Sequence, residues 1–350
     1  MKGVFWVAVA SGPLAVGLWW LAGLSPQIVE TVYSRGLYPL LAGGWSRLTG
    51  VAGFALAPWI AFLLAGVGVS LFFFFPAVRA LALLGAGLSV LLAWFVLGWG
   101  LNYQRLPWAA SHGWTTQGGT VAELESLAGQ LADRANDLRN PTWTSSGPDW
   151  HLKSWQTSVA LAYQRRGADD PLLSGRWGPP KEFPWPEAMS WAGIAGIYIP
   201  FTAEPLVNAG PSDWQLPFTA AHEAAHLRGW AREDEANFLA FWVLRDDAHP
   251  RLAYSAWSSA LLYVASALQA SGPLGHEAWQ RVSSQVSPLV KGDWQTSFAY
   301  WEAFQGPVRQ AAEAVNDVYL KSQGQTDGVR SYGRMVDLLL SSRTAWETSP

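Results

Sequence analysis

Three long apolar segments without charged residues dominate the first hundred positions of the chain. They cover residues 4–24, 51–75 and 80–101. Each has the length that an α-helix needs to cross the hydrocarbon core of a bilayer. The pattern therefore predicts three transmembrane helices in residues 1–104, with the lipid bilayer as a partner. The alternative for the second and third segments is a helical hairpin buried in a soluble protein, which their length disfavours.

The first segment has the position of a cleavable signal peptide but not its processing site. It contains Pro13 and the bulky pair Trp19 and Trp20, and no small-x-small cleavage site precedes the polar sequence. We therefore expect it to remain as a membrane span. Three spans place the two termini on opposite sides of the membrane, and basic residues are divided too evenly between the sides to decide the orientation.

Residues 105–350 are more polar and are long enough for one domain with a sizeable core. Apolar residues recur at helical spacing through most of this part, whereas 194–201 has the composition of a β-strand. We expect a mainly α domain with a small sheet. Apart from the motif described next, the predicted helices cover 120–138, 151–165, 253–270, 275–289, 293–304, 308–321 and 329–342.

The motif HEAAH, formed by His222, Glu223 and His226 with two intervening alanines, carries the most specific chemistry. Histidines four residues apart lie on the same face of a helix, one turn above the other. This spacing lets both imidazoles bind one Zn²⁺, while the carboxylate beside the first histidine acts as general base towards water. The alternative is a polar stripe on an ordinary helix. Pro217 suits the start of the helix and Gly229 its end.

A catalytic zinc site needs a third protein ligand and one open position. The acidic start of the next predicted helix supplies it, and Glu233 is the expected ligand, with Asn237 one turn further along the same face. Glu235 points to a different face, where favourable charge at a helix start explains it equally well. Arg232 occupies the position of the third histidine in HExxHxxGxxH proteases, and a guanidinium group cannot bind zinc.

Several further side chains are candidates for the cleft. The predicted strand lies just before the motif helix, where an edge strand can bind an extended substrate by main-chain pairing. Thr202, Glu204 and Asn208 are therefore expected near the cleft, with ordinary turn chemistry as the alternative. Peptide hydrolysis builds negative charge on the carbonyl oxygen, which a nearby donor can stabilise. Tyr332 is the first candidate for this catalytic donor, and Arg334 and Tyr319 follow; capping of the last helix is the alternative role for all three.

Four segments, 25–39, 196–208, 216–242 and 316–340, resemble an uncharacterised bacterial family of membrane-anchored proteins. The family carries a domain of unknown function and is grouped with the zincin-like metallopeptidases. The resemblance implies a zincin-like α+β metallopeptidase domain of the gluzincin kind in residues 105–350, with Glu as the third ligand. It also implies that this domain lies outside the cytoplasm. The short gap after His226 leaves the choice between Glu233 and Glu235 open.

Composition narrows the classes of function. Half of the residues are hydrophobic, 14% are charged and the net charge is −3, so nothing indicates nucleic acid or another polyanion as a partner. The expected protein is a multi-pass protein of the bacterial cell membrane, a zinc-dependent metalloendopeptidase that hydrolyses a peptide or protein substrate. The alternative is a catalytically silent, zinc-stabilised envelope protein that binds a partner. Cleavage within the membrane is disfavoured, because the motif lies far beyond the third span in polar sequence.

Overall fold

The computed structural model describes residues 2–143, 152–323 and 333–347. Its N-terminal part is helical. The helices are α1 (Lys2–Ala22), α2 (Pro26–Ile28), α3 (Tyr38–Gly50), α4 (Ala57–Phe74) and α5 (Ala77–Gly98), with a π-helical segment, Val29–Leu37, between α2 and α3. Within the described residues, α1, α4 and α5 are long and apolar enough to cross a membrane, as the apolar pattern predicts.

The rest of the chain is also mainly helical, with a small sheet. A 3₁₀ turn at Gly100–Gln104 leads into it, and a second lies at Pro171–Leu173. The elements are α6 (Trp108–Ser111), α7 (Val121–Leu138), α8 (Leu152–Asp169), β1 (Lys181–Glu182), α9 (Pro186–Trp191), β2 (Gly196–Ile199), β3 (Glu204–Val207), α10 (Leu216–Leu227), α11 (Glu233–Leu244), α12 (Pro250–Ala270), α13 (Gly272–Gln285), α14 (Pro288–Glu302), α15 (Pro307–Ser322), α16 (Gly333–Ser341) and α17 (Arg343–Glu347).

Helices α1 and α5 run parallel and approach closely where a small residue faces a hydroxyl. The Ser89 hydroxyl donates to the Val9 carbonyl over 2.8 Å, and a Cβ added at Gly12 would lie 2.8 Å from the Ser89 oxygen. Small residues allow membrane helices to pack in this way. Near the other end, the Trp19 indole donates to the Gly100 carbonyl over 3.1 Å. The C-terminal ends of α1 and α5 therefore lie side by side, next to the start of the C-terminal part of the chain.

The second apolar helix begins later than its sequence predicts. Helix α4 starts at Ala57, whereas the charge-free segment starts at residue 51. The Glu204 carboxylate explains the difference, because it accepts hydrogen bonds of 2.7–3.1 Å from the backbone N–H groups of Leu56 and Ala57. A carboxylate at this position satisfies otherwise unpaired N–H groups and favours a helix start there.

The sheet has the strand order β1-β3-β2, so β2 is an edge strand. Strand β2 pairs antiparallel with β3, with Ile197 opposite Leu206, and β1 pairs parallel with β3. The strand predicted at 194–201 is confirmed over Gly196–Ile199. The unpaired side of β2 faces helix α10, which carries the HEAAH motif.

The main core surrounds α10 and α11. Helix α12 packs against both and is buried over residues 252–261, which confirms the prediction of a core helix at 253–270. Two side chains from neighbouring helices bind the backbone of α10. The Tyr163 hydroxyl donates to the Ala221 carbonyl over 2.7 Å, and the Ser255 hydroxyl accepts from the Phe218 N–H over 3.0 Å. These bonds hold the motif helix in a fixed position within the core.

Candidate metal centre

The turn after the motif helix brings a second helix back towards the histidines. Gly229 has a φ of 83°, a left-handed conformation that favours glycine, as its place after the motif predicts. A Cβ added there would lie 2.9 Å from the Asn102 side-chain oxygen. Helix α11 begins four residues later at Glu233, so the first carboxylate of this helix reaches the histidines.

Three side chains, which we call the donor triangle, lie close together, with one possible ligand atom of each within 4.8 Å of those of the other two. The Nε2 atoms of His222 and His226 are 3.1 Å apart. The Glu233 Oε2 atom lies 3.3 Å from Nε2 of His222, and the other oxygen, Oε1, lies 3.5 Å from Nε2 of His226. Ligands bound to zinc at about 2.0–2.1 Å in a tetrahedron are separated by about 3.3 Å. The observed separations are close to this value, and the donor types are those that catalytic zinc sites use.

The backbone fixes the orientation of the second imidazole. His226 Nδ1 lies 2.7 Å from the Trp230 carbonyl, so Nδ1 is the donor in this bond and Nε2 is the nitrogen that is directed towards His222 and Glu233. The backbone carbonyl of His226 accepts a 3.1 Å hydrogen bond from the Trp99 indole. Both contacts hold the ring and its helix end in one position, which is the usual arrangement around metal-binding histidines.

Glu223 lies between its helix and the edge strand. Only 4% of the residue is exposed, and a Cβ added at Gly196 of β2 would come within 2.6 Å of its carboxylate. Burial raises the pKa of Glu223 to about 7, although His222 and His226 act in the opposite direction. A backbone hydrogen bond from Tyr198 also lowers it. A carboxyl group whose pKa lies near neutrality is suited to both taking and returning a proton.

Opposite charges compensate for burial in the donor triangle. Burial lowers the pKa of His226, but the neighbouring Glu233 carboxylate outweighs it and the pKa is raised to about 9. Burial likewise raises the pKa of Glu233, and the two imidazoles outweigh it, so the net shift is downward. The Glu233 carboxylate is therefore ionised at neutral pH, as a metal ligand must be.

Glu235 lies away from the triangle. Its Oε1 accepts a 2.6 Å hydrogen bond from the Trp108 backbone N–H and pairs with Arg232 at 3.2 Å. The geometry therefore places Glu233, and not Glu235, beside the histidines. Asn237 accepts a 2.9 Å hydrogen bond from the Tyr263 hydroxyl, and among the described residues its buried Nδ2 has no hydrogen-bond partner.

An open groove leads to the triangle. Its volume is about 1020 Å³, and it receives residues from α5, β2, α10, α12 and α15. Beside the triangle and Glu223, the lining includes Phe95, Trp99, Tyr103, Tyr198, Tyr263 and Tyr319. The side chains of His222 and Glu233 keep exposed fractions of 13% and 21%. One side of the donor triangle is therefore accessible from the groove.

The three side chains predicted to stabilise the carbonyl oxygen of the substrate differ in their positions. Tyr319 lines the groove, and its hydroxyl lies 3.1 Å from that of Tyr103. Burial raises the pKa of Tyr319 to about 12, so the hydroxyl stays protonated at neutral pH. Arg334 instead lies 3.6 Å from Asp234 and does not line the groove. Tyr332 lies outside the described residues.

The polar residues predicted beside the strand do not line the groove, which corrects that expectation. Thr202 is buried, and Glu204 pairs with Lys181 at 2.6 Å while it caps α4. Asn208 donates to the Ser190 hydroxyl and the Ile194 carbonyl. The reason is the strand order, because Glu204 and Asn208 lie in or directly after β3, which is the central strand between β1 and β2.

Residues before the motif support the Gly229 turn. Arg105 forms a buried pair with Glu30 at 2.8 Å and also donates to the Gly229 carbonyl over 3.1 Å. The Tyr38 hydroxyl donates to the Leu227 carbonyl over 2.9 Å. The sequence did not predict these contacts. Glu30, Tyr38 and Arg105 are single residues far from the motif in sequence, and no repeating pattern links them to it. The contacts join the segment after the first apolar helix to the end of the motif helix.

Comparison with known proteins gives one family and no characterised relative. Searches of curated proteins and of solved structures found no match. A family model described as "protein of unknown function (DUF3810)" matches residues 33–340, which includes two of the three apolar helices and the whole donor triangle. The chain is therefore a member of the DUF3810 family of proteins of unknown function.

Proposed function

We propose that this protein is a membrane-anchored, zinc-dependent metallopeptidase with a zincin-like site. The observation that carries the proposal is the donor triangle of His222, His226 and Glu233, whose possible ligand atoms lie within 4.8 Å of one another and are accessible from the groove. Catalytic zinc sites have three protein ligands and an accessible position, whereas structural sites are closed by four protein ligands. The three apolar helices would anchor the protein in the bilayer.

Different residues would carry out the separate steps of peptide hydrolysis. A zinc ion supplies Lewis acidity, which polarises a carbonyl group and acidifies water. Glu223 takes a proton from the attacking water and returns it to the amine that leaves when the C–N bond breaks. The product carboxylate and amine therefore contain the elements of one water molecule. The hydroxyl of Tyr319 is the groove donor that we assign to the carbonyl oxygen.

The edge strand would hold the substrate backbone. Gly196 and Tyr198 alternate with Ile197, which faces the partner strand β3, so their backbone groups lie on the unpaired side of β2. The Tyr198 N–H donates to Glu223, so an extended peptide would pair with the other main-chain groups on this side. Gly196 suits this position because any side chain there would displace Glu223.

The experiment that tests the proposal uses the full chain purified in detergent, a peptide library and the variant Glu223→Gln. We expect wild type to bind zinc and cleave library members, and the variant to bind zinc but to lose cleavage by at least about 100-fold. Zinc binding without turnover in wild type would instead favour the catalytically silent, zinc-stabilised envelope protein. Cleavage that survives in Glu223→Gln would contradict the assigned base.

A further inference from the structure

The groove shares a wall with the third apolar helix. Phe95 lies in the last turn of α5 and lines the groove, and its ring centroid is 5.9 Å from that of Trp99. The Trp99 ring is in turn 6.1 Å from the His226 ring. Two aromatic contacts therefore separate the donor triangle from the end of a helix that is apolar enough to cross a membrane.

Strand β2 runs from the Glu223 carboxylate to a position beside the third apolar helix, α5. At its start, Gly196 lies against the Glu223 carboxylate. Just beyond its end, the Phe201 carbonyl accepts a 2.8 Å hydrogen bond from the Trp45 indole. The Trp45 ring is 6.4 Å from that of Trp94 in α5. Tryptophans prefer the membrane interface, so the end of β2 lies where the bilayer surface would be.

Among the described residues, the lining of the groove is mainly apolar and carries few charges. Apart from Glu223 and the donor triangle, the charged lining residue is Glu313, which pairs with Arg309 at 2.8 Å. The other walls include Ile197, Ile199, Leu262 and Val315, and Val315 is 71% exposed. A groove of this kind favours apolar segments over charged soluble peptides.

We propose that the substrate is a polypeptide anchored in the same bilayer, which is cut within a few residues of the membrane surface. This inference rests on the proposed peptidase function and on the apolar helices crossing the membrane. An extended chain rises about 3.3 Å per residue. Roughly four residues are therefore enough to cover the path from the Phe95 ring past the Trp99 ring to the His226 ring. The substrate would run along β2 from the bilayer towards Glu223.

The test uses the full chain in lipid nanodiscs with synthetic substrates. Each substrate has one apolar membrane helix, a spacer of about 3 or about 20 residues and a randomised segment of about eight residues, on the face that carries the groove. The same randomised segment without an anchor is the soluble probe. Cleavage by wild type is followed by mass spectrometry. Binding is followed separately in Glu223→Gln by photo-cross-linking from the randomised segment to residues 192–201.

We expect the short-spacer substrate to be cut at least about tenfold faster than the long-spacer substrate and to cross-link in Glu223→Gln. Phe95→Ala should reduce the short-spacer rate. Leu92→Ala, at a 42% exposed position of the same helix that does not line the groove, should not.

The outcomes separate the two proposals. Soluble or long-spacer substrates cut as fast as the short-spacer one would overturn the anchored substrate and leave the peptidase standing. Cross-linking of the short-spacer segment with no cleavage of any substrate would overturn the peptidase and leave the ligand class standing. Neither cleavage nor cross-linking would overturn both.

Discussion

The Trp99 indole donates a hydrogen bond of 3.1 Å to the backbone carbonyl of His226. Trp99 directly follows the third apolar helix, and His226 is in the last turn of the motif helix. One buried contact thus joins the end of a helix that is apolar enough to cross a membrane to the backbone of a residue that we assign to zinc.

Loss of the Trp99 contact should loosen the motif helix. Trp99→Phe keeps an aromatic ring and removes the indole N–H, which leaves the His226 carbonyl without this donor. We expect a loss of about 1 kcal/mol in the free energy of unfolding, because a net hydrogen bond contributes about that much. Thermal unfolding in detergent measures it. Trp94→Phe, at a 51% exposed position, is the matched control and should unfold as wild type does.

The two glutamates at the start of α11 should differ in their effect on zinc. Glu233→Gln should weaken zinc binding by more than the roughly 10- to 100-fold that loss of an outer partner costs. Glu235→Gln should keep the zinc and lower stability by about 1–2 kcal/mol, because the Trp108 N–H loses a charged acceptor. Zinc titration of both purified variants decides between them. Loss of zinc in Glu235→Gln alone would reverse the assignment.

Stability of the zinc-free protein should depend on pH through His226. Its pKa in the fold is about 9, above the ordinary value of 6.5. A raised pKa stabilises the fold while the ring is protonated, so this contribution is complete below pH 6.5 and is lost as pH rises through 9. The melting temperature of chelator-treated protein should fall over this range, and that of zinc-loaded protein should not.

Glu223 provides the control for this pH dependence. The pKa of Glu223 in the fold is raised from 4.5 to about 7. Its ionisation therefore lowers the stability of the fold as the pH rises from 4.5 to 7. In Glu223→Gln the loss below pH 7 should disappear, while the loss between pH 7 and 9 remains. A flat profile of the zinc-free variant above pH 7 would show that His226 carries no such shift.

The buried pair that supports the Gly229 turn should contribute strongly to stability. Glu30→Gln leaves the Arg105 guanidinium buried without its counter-charge, which costs about 3–5 kcal/mol in comparable cases. Glu125→Gln is the matched control, because Glu125 forms an exposed pair with Arg281 and should not change the melting temperature. Equal melting temperatures for both variants would contradict the role of the buried pair.

Tyr319 should affect turnover more than binding. Tyr319→Phe removes the hydroxyl and keeps the ring that contacts Phe95. If this hydroxyl stabilises charge on the carbonyl oxygen, kcat should fall about 10²- to 10³-fold with little change in KM or zinc content. Steady-state kinetics and zinc analysis check the prediction. An unchanged kcat would leave the hydroxyl with its structural contact to Tyr103 alone.

Local patterns in the sequence predict the motif helix and the three apolar helices. The HEAAH spacing, Pro217 and Gly229 together predict the helix and its end, because each depends on neighbours within a turn or two. Charge-free length alone predicts α1, α4 and α5. The strand before the motif is also visible in the sequence, since β2 is a short apolar run bounded by glycine and proline.

Contacts between distant residues account for what the sequence did not predict. The helical segments between α1 and α4 mix charged and apolar residues, because Glu30 and Tyr38 face the protein interior rather than lipid. From its place in the sequence, Glu204 is expected in the cleft. In the structure it instead binds Lys181 and the backbone N–H of Ala57. Trp99 fits an interfacial belt by composition, and only its bond to His226 places it at the candidate site.

The most direct test of the account is zinc K-edge absorption spectroscopy on the purified, zinc-loaded full chain, with Glu233→Gln measured alongside. The account predicts one zinc per chain, bound by two imidazole nitrogens and a carboxylate oxygen at about 2.0–2.2 Å, with a fourth light ligand that does not come from the protein. Absence of bound zinc, or an unchanged spectrum in Glu233→Gln, would contradict it.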